Sequence, residues 1–198
     1  WTALKAKLHQ RNRNMPFITF LSENPGIEMK LYRFIRRVFD SPRSIETDYG
    51  DQDVLELRKT ERQVMQEAVR IHQFVRFEQT RDELYFAPVE PAYNVLPLAV
   101  QHFRERFSDQ RWLIYDIKRD YGFFFDLSQV HEVVFTEKAF APINGKIPDH
   151  MAREEEQVYR TLWKDYYNQI TIRERKTLRL QCRHMPRRYW KFLPEKAP

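Results

Sequence analysis

The sequence predicts an α+β fold in a single domain over residues 1–198, with a four- to five-stranded, mainly antiparallel sheet flanked by helices before and after it. Apolar residues recur at helical spacing through residues 1–71, alternate in much of residues 74–136, and return to helical spacing after residue 150. Helices, then strands, then helices indicate an α+β arrangement with helices packed on one face of the sheet. The 198 residues, 42% of them hydrophobic, suffice for one substantial core.

Three helices are predicted before the strands. Residues 1–10 form the first, and the second begins near Pro25, with Asn24 as its cap and proline in its first turn. Its apolar stripe follows the spacing i, i+3, i+4, i+7 and consists of Leu31, Phe34, Ile35 and Val38. After a polar loop at 46–52, a long third helix starts at about Asp53.

The period of the sequence changes near residue 74. Residues 74–78 alternate between apolar and polar, 80–83 are polar, and 84–87 are apolar again, which predicts a β-hairpin. A short helix is expected over residues 96–107. Further strands are expected at 112–117, 123–127 and 130–136, followed by an amphipathic helix marked by Met151, Val158, Tyr159, Leu162, Trp163, Tyr166 and Ile170.

Charge is distributed unevenly along the chain. The overall net charge is +6, but residues 1–45 carry nine Lys or Arg against three acids, and residues 171–198 carry nine against two. The acidic excess lies in residues 46–170. Lys30, Arg33 and Arg37 form a basic stripe on the second helix, which is typical either of a solvated helix face or of phosphate contacts.

The segment 172–191 combines eight cations with aromatic rings and contains a single acid, Glu174. Cations bind phosphates and rings stack on exposed bases, so this composition predicts a nucleic-acid-binding surface. The alternative is a solvated charged face whose rings anchor the segment to the core. The predicted contact residues are Arg173, Arg175, Lys176, Arg179, Arg183, Arg187, Arg188, Tyr189, Trp190 and Lys191.

Several classes of protein are disfavoured by the sequence. With only four glycines and no GxGxxG or GxxxxGK[ST] pattern, neither a Rossmann nor a P-loop nucleotide site is expected, and no cofactor is predicted. No metal site is predicted, because Cys182 and His184 lack further ligands at metal-binding spacing. The single cysteine fits a reducing cytoplasm, and no apolar run approaches the length of a membrane helix. The start at Trp1 suggests that a natural N-terminal segment is missing.

One group of residues suits acid–base chemistry. His72, His102 and Asp116 are candidate catalytic residues, and Arg76 and Arg106 are candidate phosphate-binding residues, provided that their segments converge. His102 and Arg106 lie four positions apart on a predicted helix, so they share one face. The alternative is that the histidines are structural and that Arg76 faces water.

Six stretches carry a resemblance to a known family: SENPGIEMKLYRFIR, RIHQFVRF, LYFAPVEPAYNVLPLAVQHFRERF, WLIYDIKR, ITIRERK and MPRRYWKFLPE. The chain resembles, over essentially its whole length, an uncharacterised bacterial family labelled "probable DNA metabolism protein". Family members are typically encoded beside a radical-SAM protein of DNA modification or repair, and some are fused to a domain like the family-4 uracil-DNA glycosylases. The resemblance therefore implies DNA as the preferred polyanion, but no established activity.

Three functional hypotheses follow. The first is an accessory protein that binds nucleic acid, with DNA as the preferred ligand, in a base repair or modification system. The second is a small enzyme that acts on nucleotides or nucleic-acid ends through His72, His102 and Asp116. The third is a protein-interaction partner of the radical-SAM protein. The motifs of uracil excision are not recognisable, so that reaction would belong to a fused or separate glycosylase-like domain.

Overall fold

The computed structural model describes residues 1–135, 152–172 and 177–196. The chain divides into two compact units. The first comprises Trp1–Val69 with Ala92–Val95, and the second comprises Arg70–Pro91 with Leu96–Pro198. That the whole chain forms a single domain stays a prediction.

The first unit is helical. Its elements are α1 (Thr2–Lys7), a 3₁₀ helix (Gln10–Asn12), α2 (Met15–Phe20), α3 (Ile27–Asp40) and most of α4 (Gln52–Phe74). Its buried core combines residues from these helices and from the loop before α4: Leu4, Leu8, Met15, Ile27, Leu31, Phe34, Val38, Ile45, Val54 and Leu57. The apolar stripe predicted for α3 is thus confirmed, with Ile35 packed partly buried against the same core.

The start of α3 differs from the prediction. Gly26 is the N-cap, with φ 79° and ψ 8°, and no side chain caps the helix. The Ile27 amide donates to the carbonyl of Asn24 at 3.0 Å, so residues 24–27 form a type II turn with Pro25 and Gly26 at its centre. Asn24 therefore acts through its backbone rather than as a side-chain cap. Glycine is required at position 26 because its φ lies in the left-handed region.

The second unit contains a five-stranded mixed sheet whose strands follow sequence order. They are β1 (Glu78–Gln79), β2 (Tyr85–Val89), β3 (Trp112–Asp116), β4 (Tyr121–Phe125) and β5 (Val130–Val133). Three of the four pairings are antiparallel, and β2 with β3 is parallel, with α5 (Leu96–Arg106) between them in the chain. The α+β class and the mainly antiparallel sheet are therefore confirmed.

The hairpin is present with different bounds. Residue 74 still belongs to α4, and the first strand of the hairpin contains only Glu78 and Gln79. The alternation of residues 74–78 therefore does not mark a strand. Instead, Phe77 belongs to an aromatic cluster with Phe103 and Phe107 of the α5 segment, at centroid distances of 5.9 and 5.3 Å.

The two faces of the sheet are covered differently. On one face, Trp112 packs against Phe103 of α5 and stacks on Phe125 of β4, with centroids 6.4 and 5.5 Å apart. On the other face, Phe86, Leu113 and Tyr115 form a second buried cluster with Ala152. A ring of α5 thus packs on the first face, and on the second face Ala152 packs against the strands.

Among the described residues, the sheet is followed by α6 (Glu155–Ile170), α7 (Leu178–His184) and a terminal 3₁₀ helix (Arg187–Phe192). The apolar residues predicted to mark an amphipathic α6 do not enter a core, and no residue of α6 is buried. Instead, α6 is attached through polar contacts, such as the ion pair of Arg160 with Glu78 and the hydrogen bond from the Trp163 indole to Glu195. Met151 lies outside the described residues.

We predict that Gly122→Ala destabilises the protein strongly. Gly122 pairs with Tyr115, and a Cβ at position 122 would lie 2.8 Å from the Tyr115 ring and closer still to the Ile114 carbonyl oxygen. Relieving this overlap requires the strands to shift, at a cost of about 1–3 kcal/mol in the free energy of unfolding by urea. Gly50→Ala is the matched control, since its Cβ meets only the Asp48 side chain at 3.3 Å. Equal stability of the two variants would contradict the prediction.

Candidate nucleic-acid interface

The described part of the predicted basic segment forms an exposed surface on α7 and the terminal 3₁₀ helix. We call it the C-terminal basic surface, and it consists of Arg179, Arg183, Arg187, Arg188 and Lys191, all of them exposed. Arg173, Arg175 and Lys176 lie outside the described residues. The structure thus presents five of the eight predicted cations to solvent within two short consecutive helices.

The cations of this surface differ in their partners. Lys191 forms an ion pair with Glu90, and the Arg188 guanidinium lies 5.0 Å from the centroid of the Tyr189 ring. Within the described ranges, Arg179, Arg183 and Arg187 contact no carboxylate. These three arginines therefore keep their full charge available for an external anion.

The period of the 3₁₀ helix determines which of its rings are open. With three residues per turn, positions i and i+3 share a face. Tyr189 and Phe192 share the buried face, whereas Arg187 and Trp190 share another, with the guanidinium 5.7 Å from the indole centroid. An α-helix would pair the same positions, so the sequence gives the two pairs but not which of them faces the core.

Trp190 is half-buried. Its indole N–H donates to the carbonyl oxygen of Met185 at 3.1 Å, which fixes the ring's orientation. Cations approach the ring from two residues: Arg187, and Lys196 with its ammonium 5.5 Å from the centroid. The result is an oriented, partly open ring with positive charge beside it, an arrangement suited to stacking on a base.

Tyr189 corrects a prediction. Its side chain is 2% exposed, and its ring packs against Phe74 at a centroid distance of 5.2 Å. A ring enclosed in this way is not open to a base. Tyr189 therefore anchors the 3₁₀ helix to the core, and only Trp190 of the two predicted rings remains partly open.

The basic surface is also tied to α6. The Tyr167 hydroxyl accepts hydrogen bonds from the Lys196 ammonium at 2.8 Å and from the Gln181 side-chain amide at 3.3 Å. These bonds connect α6 with α7 and with the end of the described chain. The helix that carries Arg179 and Arg183 is consequently hydrogen-bonded to α6.

His72 and His102 meet, as expected. Their rings stack with centroids 4.2 Å apart and planes inclined by 27°. Burial and the nearby His102 ring lower the pKa of His72 below its ordinary value, although a hydrogen bond with the Ala99 backbone acts in the opposite direction. His72 Nε2 is buried without a hydrogen-bond partner. The two histidines are thus paired, and the lowered pKa of His72 favours its neutral form.

Asp116 does not join the histidine pair. Its fully buried carboxylate accepts hydrogen bonds from the backbone amides of Lys118 and Arg119, and forms an ion pair with the Arg119 guanidinium at 2.8 Å. Burial raises the pKa of Asp116, and Arg119 partly offsets that effect. Among the described residues no contact links this carboxylate to His72 or His102. Asp116 thus stabilises the loop after β3, and a pocket shared with the two histidines stays a prediction.

The two candidate phosphate-binding arginines also differ. Arg76 is occupied, since it forms an ion pair with the buried Glu195 at 3.2 Å and donates to the carbonyls of Gln73 and Val75. Its role is structural, contrary to the expectation of a phosphate contact. Arg106 is exposed at the end of α5, with its guanidinium 5.6 Å from the Phe107 centroid, and its phosphate-binding role stays a prediction.

The basic stripe of the first unit is neutralised internally. Three cations of α3 meet three carboxylates at or next to the start of α4: Lys30 with Glu56, Arg33 with Asp53, and Arg37 with Asp51. The Arg33–Asp53 pair is bidentate, at 2.6 and 2.7 Å, and it holds the pKa of Asp53 below its ordinary value. These cations stabilise helix packing in place of an external phosphate contact.

Sequence reasoning missed two further cations, Arg160 and Lys164 of α6. Together with Lys191 they line a cavity of about 360 Å³ whose wall also includes Glu78. Their spacing of four residues on a predicted helix was the available signal, since it places both on one face. The sequence prediction for this helix used its apolar residues instead and did not consider the two cations.

Other site types have less support. Among the described residues, no group of three His, Cys, Asp or Glu side chains is placed to hold a metal ion. The thiol of Cys182 is half-buried and free. No helix in the described part of the chain is long and apolar enough to cross a membrane.

The fold and surface define an α+β protein with a mixed five-stranded sheet and an exposed C-terminal cluster of arginines. The chain belongs to the family described as a domain of unknown function, DUF4130, whose sequence model matches residues 25–195. This confirms the expected membership of an uncharacterised family. No curated protein and no solved structure matches the chain.

We predict that Tyr189 and Trp190 respond oppositely to truncation. Tyr189→Ala removes a buried ring from its contact with Phe74 and should lower the free energy of unfolding by about 3 kcal/mol or more. Trp190→Ala should cost no more than about 1.5 kcal/mol, because its ring is already half open to solvent. Urea denaturation of both variants provides the measurement. A larger loss for Trp190→Ala would assign the anchoring role to Trp190.

The lowered pKa of His72 predicts a pH dependence of stability. Protonation is less favourable in the folded than in the unfolded protein, so the free energy of unfolding should decrease as the pH falls below about 6.5. His72→Gln should reduce this decrease. His102→Gln should also reduce it, since it removes the neighbouring positive charge. Urea denaturation between neutral and mildly acidic pH tests both variants. If the free energy of unfolding falls with pH as steeply in the variants as in the unchanged protein, the prediction is wrong.

Proposed function

We propose that this protein binds nucleic acid, DNA in the first instance, through its C-terminal basic surface. One observation carries the proposal: Arg179, Arg183 and Arg187 are exposed without a carboxylate partner among the described residues, and Arg187 stands beside the half-open Trp190 ring. Arginines of this kind bind phosphates by charge-assisted, often bidentate, hydrogen bonds. The ring adds a stacking surface for an unpaired base.

The contrast with α3 supports the choice of surface. Both segments are rich in cations, but those of α3 already pair with Asp51, Asp53 and Glu56. Recruiting them for a phosphate would require breaking existing ion pairs, whereas the three C-terminal arginines only exchange solvent and counterions. Release of counterions from the polyanion then favours binding.

The family resemblance supplies the biological setting of the proposal. The protein would act in the cytoplasm as an accessory of a base repair or modification system, beside a radical-SAM protein or a domain like the uracil-DNA glycosylases. Its contribution would be to hold the nucleic acid rather than to perform the reaction. Arg173, Arg175 and Lys176 extend the same basic segment in the sequence and are included in the proposed contact set.

A second candidate function is favoured by the surface of α6. Its apolar residues, expected to mark one side of an amphipathic helix, remain 41–62% exposed: Val158, Tyr159, Leu162, Trp163, Tyr166 and Ile170. An apolar helix face of this kind is typical of a protein-interaction surface. The proposed partner is the radical-SAM protein of the repair system. The enzyme hypothesis retains the histidine pair but lacks the Asp116 carboxylate beside it.

The salt dependence of DNA binding tests the main proposal. Replacing Arg179, Arg183 and Arg187 with Gln should weaken binding and make the slope of log K against log salt less steep by roughly 2 to 3, because up to three phosphate contacts are lost. The matched control replaces Lys7, Arg11 and Arg13, three exposed cations of the first unit, with Gln, so the net charge changes by the same amount. Fluorescence anisotropy with labelled single- and double-stranded DNA measures both.

A second variant separates the ring from the charges. Trp190→Ala should weaken single-strand binding about tenfold, since stacking contributes about 1–3 kcal/mol per base, while leaving the salt slope nearly unchanged. The same slope and affinity in the arginine variant as in its control would overturn the proposed function.

A further inference from the structure

A cavity beside α6 brings three cations together, two from α6 and one from the terminal 3₁₀ helix. It measures about 360 Å³ and is lined by Glu78, Gln157, Arg160, Thr161, Lys164, Lys191, Phe192 and Pro194. Its size lies at the lower end of the range of small-ligand sites, about 300–1,000 Å³. The four lining residues from α6 follow the spacing i, i+3, i+4, i+7, so one face of that helix forms the wall.

The charges of this cavity are unequally balanced. Arg160 is held by the buried Glu78, with its Nε 2.9 Å from one carboxylate oxygen, and Lys191 pairs with Glu90. Lys164 is half-buried, and no described carboxylate contacts it. Because Glu78 pairs with Arg160 and Glu90 pairs with Lys191, the excess positive charge of the lining comes from Lys164. A concave site with excess positive charge attracts anions more strongly than a flat surface does.

We propose that this cavity binds a phosphate group. Lys164 would supply the main charge, and Arg160, oriented by Glu78, would supply N–H donors in a fixed direction. Oriented donors lose little freedom on binding, so their hydrogen bonds contribute more to affinity. The Gln157 and Thr161 side chains add polar groups to the same wall.

Two sources could provide the phosphate: the terminal phosphate of a nucleic-acid strand or a free phosphate. Lys191 belongs both to this cavity and to the C-terminal basic surface, which connects the two sites. The strand-end source rests on the proposed function, whereas phosphate binding by the cavity does not. Inorganic phosphate and oligonucleotides therefore form separate arms of the experiment.

The first arm measures inorganic phosphate binding by isothermal titration calorimetry. Lys164→Gln should weaken it about tenfold, as expected for loss of a charged hydrogen-bond donor. Lys164→Arg keeps the charge and should retain binding. Lys7→Gln, on α1 of the first unit, removes the same charge from an exposed site and should have no effect. Circular dichroism confirms that each variant is folded. Equal affinity of Lys164→Gln and Lys7→Gln would overturn the proposal.

The second arm compares short oligothymidylates with a 5′-phosphate and a 5′-hydroxyl. A preference for the 5′-phosphate of about tenfold that disappears in Lys164→Gln assigns the cavity to strand ends. Inorganic phosphate binding through Lys164 without that preference assigns it to free phosphate and supports the site. If neither oligonucleotide binds but inorganic phosphate does, the proposed function fails and the cavity site stands. If DNA binds through the C-terminal arginines and Lys164→Gln changes nothing, only the cavity site fails.

Discussion

The parallel pairing of β2 with β3 is the constraint on which the second unit depends. Parallel neighbours cannot be joined by a tight turn, so the chain must cross between them, and α5 lies in that connection. The Phe103 ring of α5 then packs against Trp112 of the sheet, and the Phe107 ring stacks on Phe103. The crossover also brings His102 against His72, whose ring contacts the same Phe103. Aromatic packing around Phe103 therefore holds the two histidine rings together.

Local patterns predicted the elements well, because each depends on residues close in sequence. The helices at α3, α4 and α5 and the central strand all occur near their expected positions. Pairing and long-range contacts could not be predicted in the same way. The strand–helix–strand order of residues 84–117 is compatible with a parallel pair, but it does not show that β2 and β3 are neighbours in the sheet. Likewise, nothing around Asp116 shows that Arg119 binds its carboxylate. The exposed apolar face of α6 is the clearest failure of periodicity, since the pattern gives an amphipathic helix but not what covers it.

The same limit applies to charge. From the sequence, the stripe on α3 and the C-terminal segment both suggest phosphate contacts. In the structure, the cations of α3 and their acidic partners run in opposite directions along the chain. Lys30, the first cation, pairs with Glu56, and Arg37, the last, pairs with Asp51. A group of cations becomes a candidate binding surface where the fold leaves some of its members without a carboxylate partner. By that criterion Arg179, Arg183 and Arg187 remain, and Arg76 does not, because Glu195 occupies it.

The terminal 3₁₀ helix shows how a buried ring and an open ring can serve one surface. Tyr189 and Phe192 lie on its buried side, which fixes the helix against the core near Phe74. With that side fixed, the three-residue period turns Arg187 and Trp190 onto a common face. Anchoring and exposure are therefore not competing explanations of the aromatic residues in this segment. The buried ring limits the motion of the helix, and an arginine and a ring held in that way lose less conformational entropy when they meet a ligand.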